Sequence, residues 1–171
     1  MNNYEDIFNE LKLSRTNKIL ILSILPVSLL IIALIVDTPK NLFINLYKIV
    51  IAPDILLTDY LEVGGLGATL LNVSIMSLIN ILIIYKLKLK INGALIAAIF
   101  TITGFSFFGK HVYSFWPMYL GGYLYTRYHN IEFKNILVTI MFSTSLAPIV
   151  TEISFGNHIP LFSGIPMGIT L

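Results

Sequence analysis

Apolar residues in this chain come in long runs, and charged residues collect where the runs end. The clearest run is Ile19–Val36, interrupted only by Ser23, Pro26 and Ser28. At 1.5 Å per residue it predicts a helix of about 27 Å, enough for the hydrocarbon core of a bilayer. Asp37-Thr38-Pro39-Lys40 closes it. Further spans are predicted over 64–85, 93–108, 112–125 and 136–150, and another apolar stretch, 159–171, begins at Ile159. Several of these are short and broken by helix-weakening residues, such as Gly104, Trp116-Pro117 and Gly121-Gly122.

Two stretches do not read as spans. In residues 41–62, Ala52-Pro53-Asp54 divides Leu42, Phe43, Leu46 and Ile49 from Ile55-Leu56-Leu57. Proline removes a backbone donor and disfavours helix in the residue before it, so a continuous helix is not expected there. Neither half is long enough to cross, which predicts a re-entrant or interfacial hairpin. Residues 1–18 place Tyr4, Ile7, Phe8 and Leu11 at helical spacing, as an interfacial helix would. The predicted fold is therefore an all-α membrane protein. A cytoplasmic interfacial helix, 1–18, precedes one transmembrane domain, 19–171, built as a bundle of five to six transmembrane helices.

Composition supports the membrane reading. Of 171 residues, 56% are hydrophobic and 12% charged. Soluble domains carry about 25% charged residues, so much of this surface must face lipid. The first run is not a removable leader, because Glu5, Asp6 and Glu10 precede it and no small-residue cleavage site follows. The eleven Lys and Arg are spread over the ends of apolar runs rather than massed, which excludes a nucleic-acid footprint. Cysteine is absent, which excludes disulfides and thiolate metal sites. No metal and no cofactor is expected.

The lysines and arginines also orient the chain. With the N-terminus in the cytoplasm and five crossings, Lys12, Arg15, Lys18, Lys86, Lys88, Lys90, Arg127 and Lys134 fall inside. Lys40, Lys48 and Lys110 fall outside, as the positive-inside bias requires. The predicted location is the cell membrane, multi-pass. The last apolar stretch meets no polar anchor, so the partners expected are lipid and either the remaining half of a longer chain or a second copy.

Candidate chemistry lies in the interruptions. Broken helices survive at bilayer depth only where they are buried in protein or line a wet cavity, and many transporters build their sites from them. Asp54 and Asp59, close to Gly64-Gly65-Leu66-Gly67, are candidates for binding a cation or proton if the hairpin dips into the bilayer; at the interface they are solvated loop acids. Asn72 and Asn80 lie near one helix face, joined by Ser77, and Thr101 and Thr103 follow in the next span. These polar side chains either line a solute path or hydrogen-bond neighbouring helices. Nucleophile-elbow and metalloprotease motifs are absent, and the three histidines, at 111, 129 and 158, fit no known catalytic spacing, His158 with Ser163 included. The chain reads as no enzyme, with no catalytic residue assigned. The leading expectation is half of a transporter or channel for an unknown small solute or ion. Alternatives are a membrane-embedded substrate-binding subunit of a multi-component transporter and, last, an intramembrane enzyme.

Three stretches carry a family resemblance: Ala52 to Tyr60 with Gly64 to Ala68, Asn92-Gly93 through Phe105 to Lys110, and Leu146-Ala147-Pro148-Ile149-Val150. In these the chain resembles a family of uncharacterised bacterial multi-pass membrane proteins, domain of unknown function 1576. The resemblance implies a membrane protein about twice this length, of which this is the N-terminal half. It implies no activity and transfers no site residue.

Overall fold

The computed structural model describes residues 14–52 and 58–146. Among them the chain forms six α-helices and one 3₁₀ turn, with no strand. They are α1 (Arg15–Val36), α2 (Pro39–Ile51), α3 (Tyr60–Lys86), α4 (Gly93–Phe105), α5 (Trp116–Tyr128) and α6 (Phe133–Ser143), with Thr144–Leu146 as the 3₁₀ turn.

The helices begin where local chemistry can satisfy their first N–H groups. The Ser14 hydroxyl accepts from the Asn17 N–H at 3.2 Å, so α1 opens four residues before the apolar run. The Asp59 carboxylate accepts from the N–H groups of Leu61 and Glu62, so α3 opens at Tyr60 rather than at Gly64. Asn92 caps α4 by accepting from the Leu95 N–H at 2.9 Å. Pro39 and Pro117 sit in the first turns of α2 and α5, where a missing N–H costs nothing.

Helix α3 is the hub. It is buried on nearly every side, packed by α1, α2 and α4, and reached by Tyr119 of α5. Helix α1 runs antiparallel to it: Arg15 bonds the end of α3, while Ala33 lies near Gly67 at its start. Helix α2 lies across the opening turns of α3, with Leu42 over Gly67 and Ile49 over Gly64. A methyl at Gly64 would sit 2.6 Å from Ile49 Cδ1, so this crossing needs the bare backbone. On the other side, Met76, Leu95, Ile102, Phe115, Leu137 and Met141 join α3 to α4, α5 and α6 in the largest core.

Two helices, α1 and α3, are long and apolar enough to cross a membrane. Helix α1 also leaves Leu20, Ile24, Ile31 and Ile35 exposed, as a lipid-facing helix does. Helices α4, α5 and α6, of 13, 13 and 11 residues, reach only about 16–20 Å, less than a bilayer core of about 30 Å. The expected count of five to six spans is thus seen as two helices of spanning length and three shorter ones. The physical reason is that α4 stops at Phe105 and the chain turns inward through residues 106–115 before Pro117 starts α5. The predicted hairpin over 41–62 is α2 followed by the capped start of α3, with 53–57 outside the described residues. Most of the predicted interfacial helix, the end of the 136–150 span and the stretch from Ile159 also lie outside them.

Within α3 the backbone breaks at Gly65, with φ 74° and ψ 169°. That region is open essentially to glycine alone. A Cβ at Gly65 would touch nothing within 4 Å, and the same holds at Gly121 inside α5. Gly65→Ala is therefore a pure backbone test. It should lower stability by about 1–3 kcal/mol, while Gly121→Ala leaves it unchanged or raises it by about 0.5–1 kcal/mol. Thermal unfolding in detergent micelles checks the difference; equal melting temperatures would contradict the break.

Candidate functional site

The start of α3 and the end of α4 meet. An antiparallel bridge joins Asp59 to Phe108, and the rings of Tyr60 and His111 lie 6.4 Å apart. Around this junction Asn72, Ser106, Lys110, His111, Ser114 and Thr144 are all buried.

Where a helix ends inside a bundle, its last carbonyls need donors. The Asn72 amide supplies them, donating to the Ser106 carbonyl at 2.8 Å and the Lys110 carbonyl at 2.9 Å. Its own oxygen, Oδ1, is buried and accepts no hydrogen bond among the described residues. The turn is tied locally as well: the His111 N–H donates to Ser114 Oγ, and the Tyr113 N–H donates to His111 Nδ1.

Lys110 is the electrostatic centre. Its side chain is completely buried, between α4 and the end of α6. The ammonium donates to Thr144 Oγ1 at 2.7 Å and lies 5.5 Å from the Phe105 ring centroid. Thr144 has spent its own proton on the Met141 carbonyl, so it can accept. No carboxylate pairs with Lys110 among the described residues. Desolvation lowers its pKa from 10.5 to about 7. A buried lysine without a counter-charge costs free energy and, in a membrane bundle, marks function by default.

The residues singled out in the sequence divide three ways. Asn72 belongs to this centre. Asn80 and Thr103 lie deeper on α3 and α4: Asn80 donates to the Met76 carbonyl at 2.8 Å and accepts from the Tyr119 hydroxyl. Ser77 donates to Thr103 at 2.8 Å, because the Thr103 proton is used on the Ile99 carbonyl. Thr101 bonds only back to the Ala97 carbonyl, on a half-exposed face. Asp59 is exposed and serves as the cap of α3, and Asp54 lies outside the described residues. His158 and Ser163 lie outside them too. Lys110, which the positive-inside count puts in an outer loop, is buried here, and Thr144 joins it. The sequence carries no signal specific to Lys110, since Lys40 also follows an apolar run on the side that the positive-inside bias leaves poor in charge.

Among the described residues no three His, Asp or Glu side chains gather as a metal site. Two larger grooves, of about 440 and 500 Å³, run along α3 away from Lys110 and have almost wholly apolar linings.

Fold and site together define an all-helical protein with two membrane-length apolar helices and a buried, charged polar core. Residues 38–171, well over half the chain, match a family described as protein of unknown function (DUF1576), and the chain belongs to that family. Comparison with curated proteins and with solved structures found no match.

The lysine makes stability depend on pH. Between about pH 7 and 10.5 the unfolded chain holds a proton on Lys110 that the folded chain does not. Stability therefore rises with pH through that window and is lost as pH falls toward 7. From pH 7.5 to 9 the gain should be about 2 kcal/mol for the native chain and absent in Lys110→Met, as read by denaturant titration. Parallel pH profiles for the two would contradict it.

Proposed function

We propose that this chain is a multi-pass protein of the cell membrane and one half of a transporter or channel for a small solute or ion, without enzymatic activity. One observation carries the proposal: where α4 ends against α3, a fully buried lysine has no acid partner and a buried amide oxygen has no donor among the described residues. Transporters place discontinuous helices around midplane sites because the freed backbone ends and buried charges there are available to a solute. Among the described residues Lys110 Nζ bonds Thr144 and Asn72 Oδ1 accepts nothing, which leaves a donor and an acceptor with spare capacity for a solute. On this reading α1 and α3 frame the site across the bilayer and the shorter helices close around it.

The same reading places the N-terminus in the cytoplasm. Arg15 reaches the carbonyls of Tyr85 and Leu89, so two of the basic stretches share one end of the bundle. Thr144 at Lys110 puts the end of α6 level with Asn72 at the middle of α3, and α6 leads from there back toward Arg15 at Lys134. Three basic stretches at one end fit a positive-inside orientation.

A flux assay on the full chain in proteoliposomes tests the proposal, using a panel of monovalent ions and small polar solutes. At least one should pass, and Lys110→Met should slow it about tenfold or more. Lys48→Met, at an exposed position on α2, should leave the rate unchanged. Absence of flux across the panel, or flux indifferent to Lys110, would overturn it.

A further inference from the structure

At the Arg15 end of the bundle, away from Lys110, two features meet that the polar core does not explain. The first is a cleft of about 210 Å³ lined by Arg15, Lys18, Lys88, Lys90 and Ile91. Among the described residues four basic side chains and no acid surround it, and none of the four is paired with an acid. The second is the groove of about 500 Å³ between α1 and α3. One wall is Thr16, Ile19, Leu20 and Ser23, and the other is Leu78, Ile81, Leu82 and Tyr85. Both sets follow i, i+3, i+4, i+7 spacing, so each is a single stripe about 10 Å long on its helix.

The cleft and the groove adjoin at Arg15 and Tyr85. Arg15 lines the cleft and Thr16 the groove, and the Arg15 guanidinium lies 5.4 Å from the ring centroid of Tyr85 in the groove wall. Arg15 is also held in place. Nε donates to the Leu89 carbonyl, and one amino group donates to the carbonyls of Ile84 and Tyr85. That leaves the other guanidinium amino group with no acceptor among the described residues.

Lys88 adds an independent sign. The end of α3 is closed by the Leu89 N–H on the Ile84 carbonyl and the Lys88 N–H on the Tyr85 carbonyl. This closure puts Lys88 in the left-handed region, φ 53°, a position where glycine is usual and asparagine tolerated. The matching turn after α5 uses Asn130, φ 54°. A lysine at such a position is disfavoured by its backbone, and its location on the basic cleft supplies a reason for keeping the ammonium.

We infer that this is a binding site for one anionic phospholipid, its phosphate in the Arg15–Lys18–Lys88–Lys90 cleft and the upper part of an acyl chain between α1 and α3. The walls are the two helices long and apolar enough to cross a bilayer, so the groove faces lipid and the cleft falls at headgroup level. Basic pockets between membrane helices recognise phosphate headgroups in this way, each charge adding about fivefold to affinity.

The test is electron paramagnetic resonance on the full chain in phosphatidylcholine vesicles with trace spin-labelled lipid. Spin-labelled phosphatidylglycerol should associate at least about fivefold more strongly than spin-labelled phosphatidylcholine. Lys88→Gly, which relieves the backbone and so keeps the fold, should reduce that preference several-fold, and Lys88→Gly with Lys90→Gln should abolish it. Lys90→Gln alone, at an exposed position, should weaken it as well. Equal association of the two lipids with the native chain would overturn the inference, as would a preference that survives both substitutions. Displacement of the labelled lipid by inorganic phosphate would assign the cleft to a free anion and overturn the lipid assignment.

Discussion

The amide of Asn72 is the contact on which the interior depends. Helix α4 ends inside the bundle, and the carbonyls of Ser106 and Lys110 would be stranded there without a donor. A buried carbonyl with no partner costs about 1–3 kcal/mol. One asparagine on the hub helix answers both, and in doing so fixes where the chain turns between α4 and α5. That turn in turn delivers the Lys110 side chain to Thr144. Position on α3, a helix end, and the placement of a charge are thus consequences of one side chain.

The rest of the structure follows from α3 being packed by neighbours along most of its length. Small residues at Gly64 and Gly67 let α2 lie close across its opening turns, and α1 packs antiparallel along it. The apolar face of α1 that α3 does not use stays exposed, which fits a helix whose other neighbour is lipid. Polar groups are consequently sorted by depth. Ser77 with Thr103, and Asn80 with Tyr119, tie α3 to α4 and α5. Among the described residues Asn72 and Lys110 remain with unused hydrogen-bonding capacity where α4 ends against α3.

Hydropathy made the long helices legible, because a run such as Ile19–Val36 has few alternatives to a helix. It was weaker at the boundaries. Asp59 reads as a candidate ligand for a cation or proton, whereas it caps a helix, which moves the start of α3 back to Tyr60. Trp116-Pro117 read as an interruption within a span, although proline in a first turn marks a start. Hydropathy also cannot say which polar residues meet. Asn72 and Asn80 looked alike on one face, yet Asn72 faces the turn at 106–110 and Asn80 faces Tyr119. Lys110 read as an outer loop charge, since nothing local to Gly109-Lys110-His111 reveals that the loop folds inward. That information is tertiary, carried by Asn72, 38 residues away.

The most direct measurement is hydrogen exchange at the Asn72 side-chain amide, with asparagine nitrogen-15 labelled and the chain in lipid nanodiscs. If the amide holds the Ser106 and Lys110 carbonyls in a dry interior, its protons exchange far more slowly than those of Asn130, which lies exposed in the turn after α5. Exchange of Asn72 as fast as Asn130 would contradict the account.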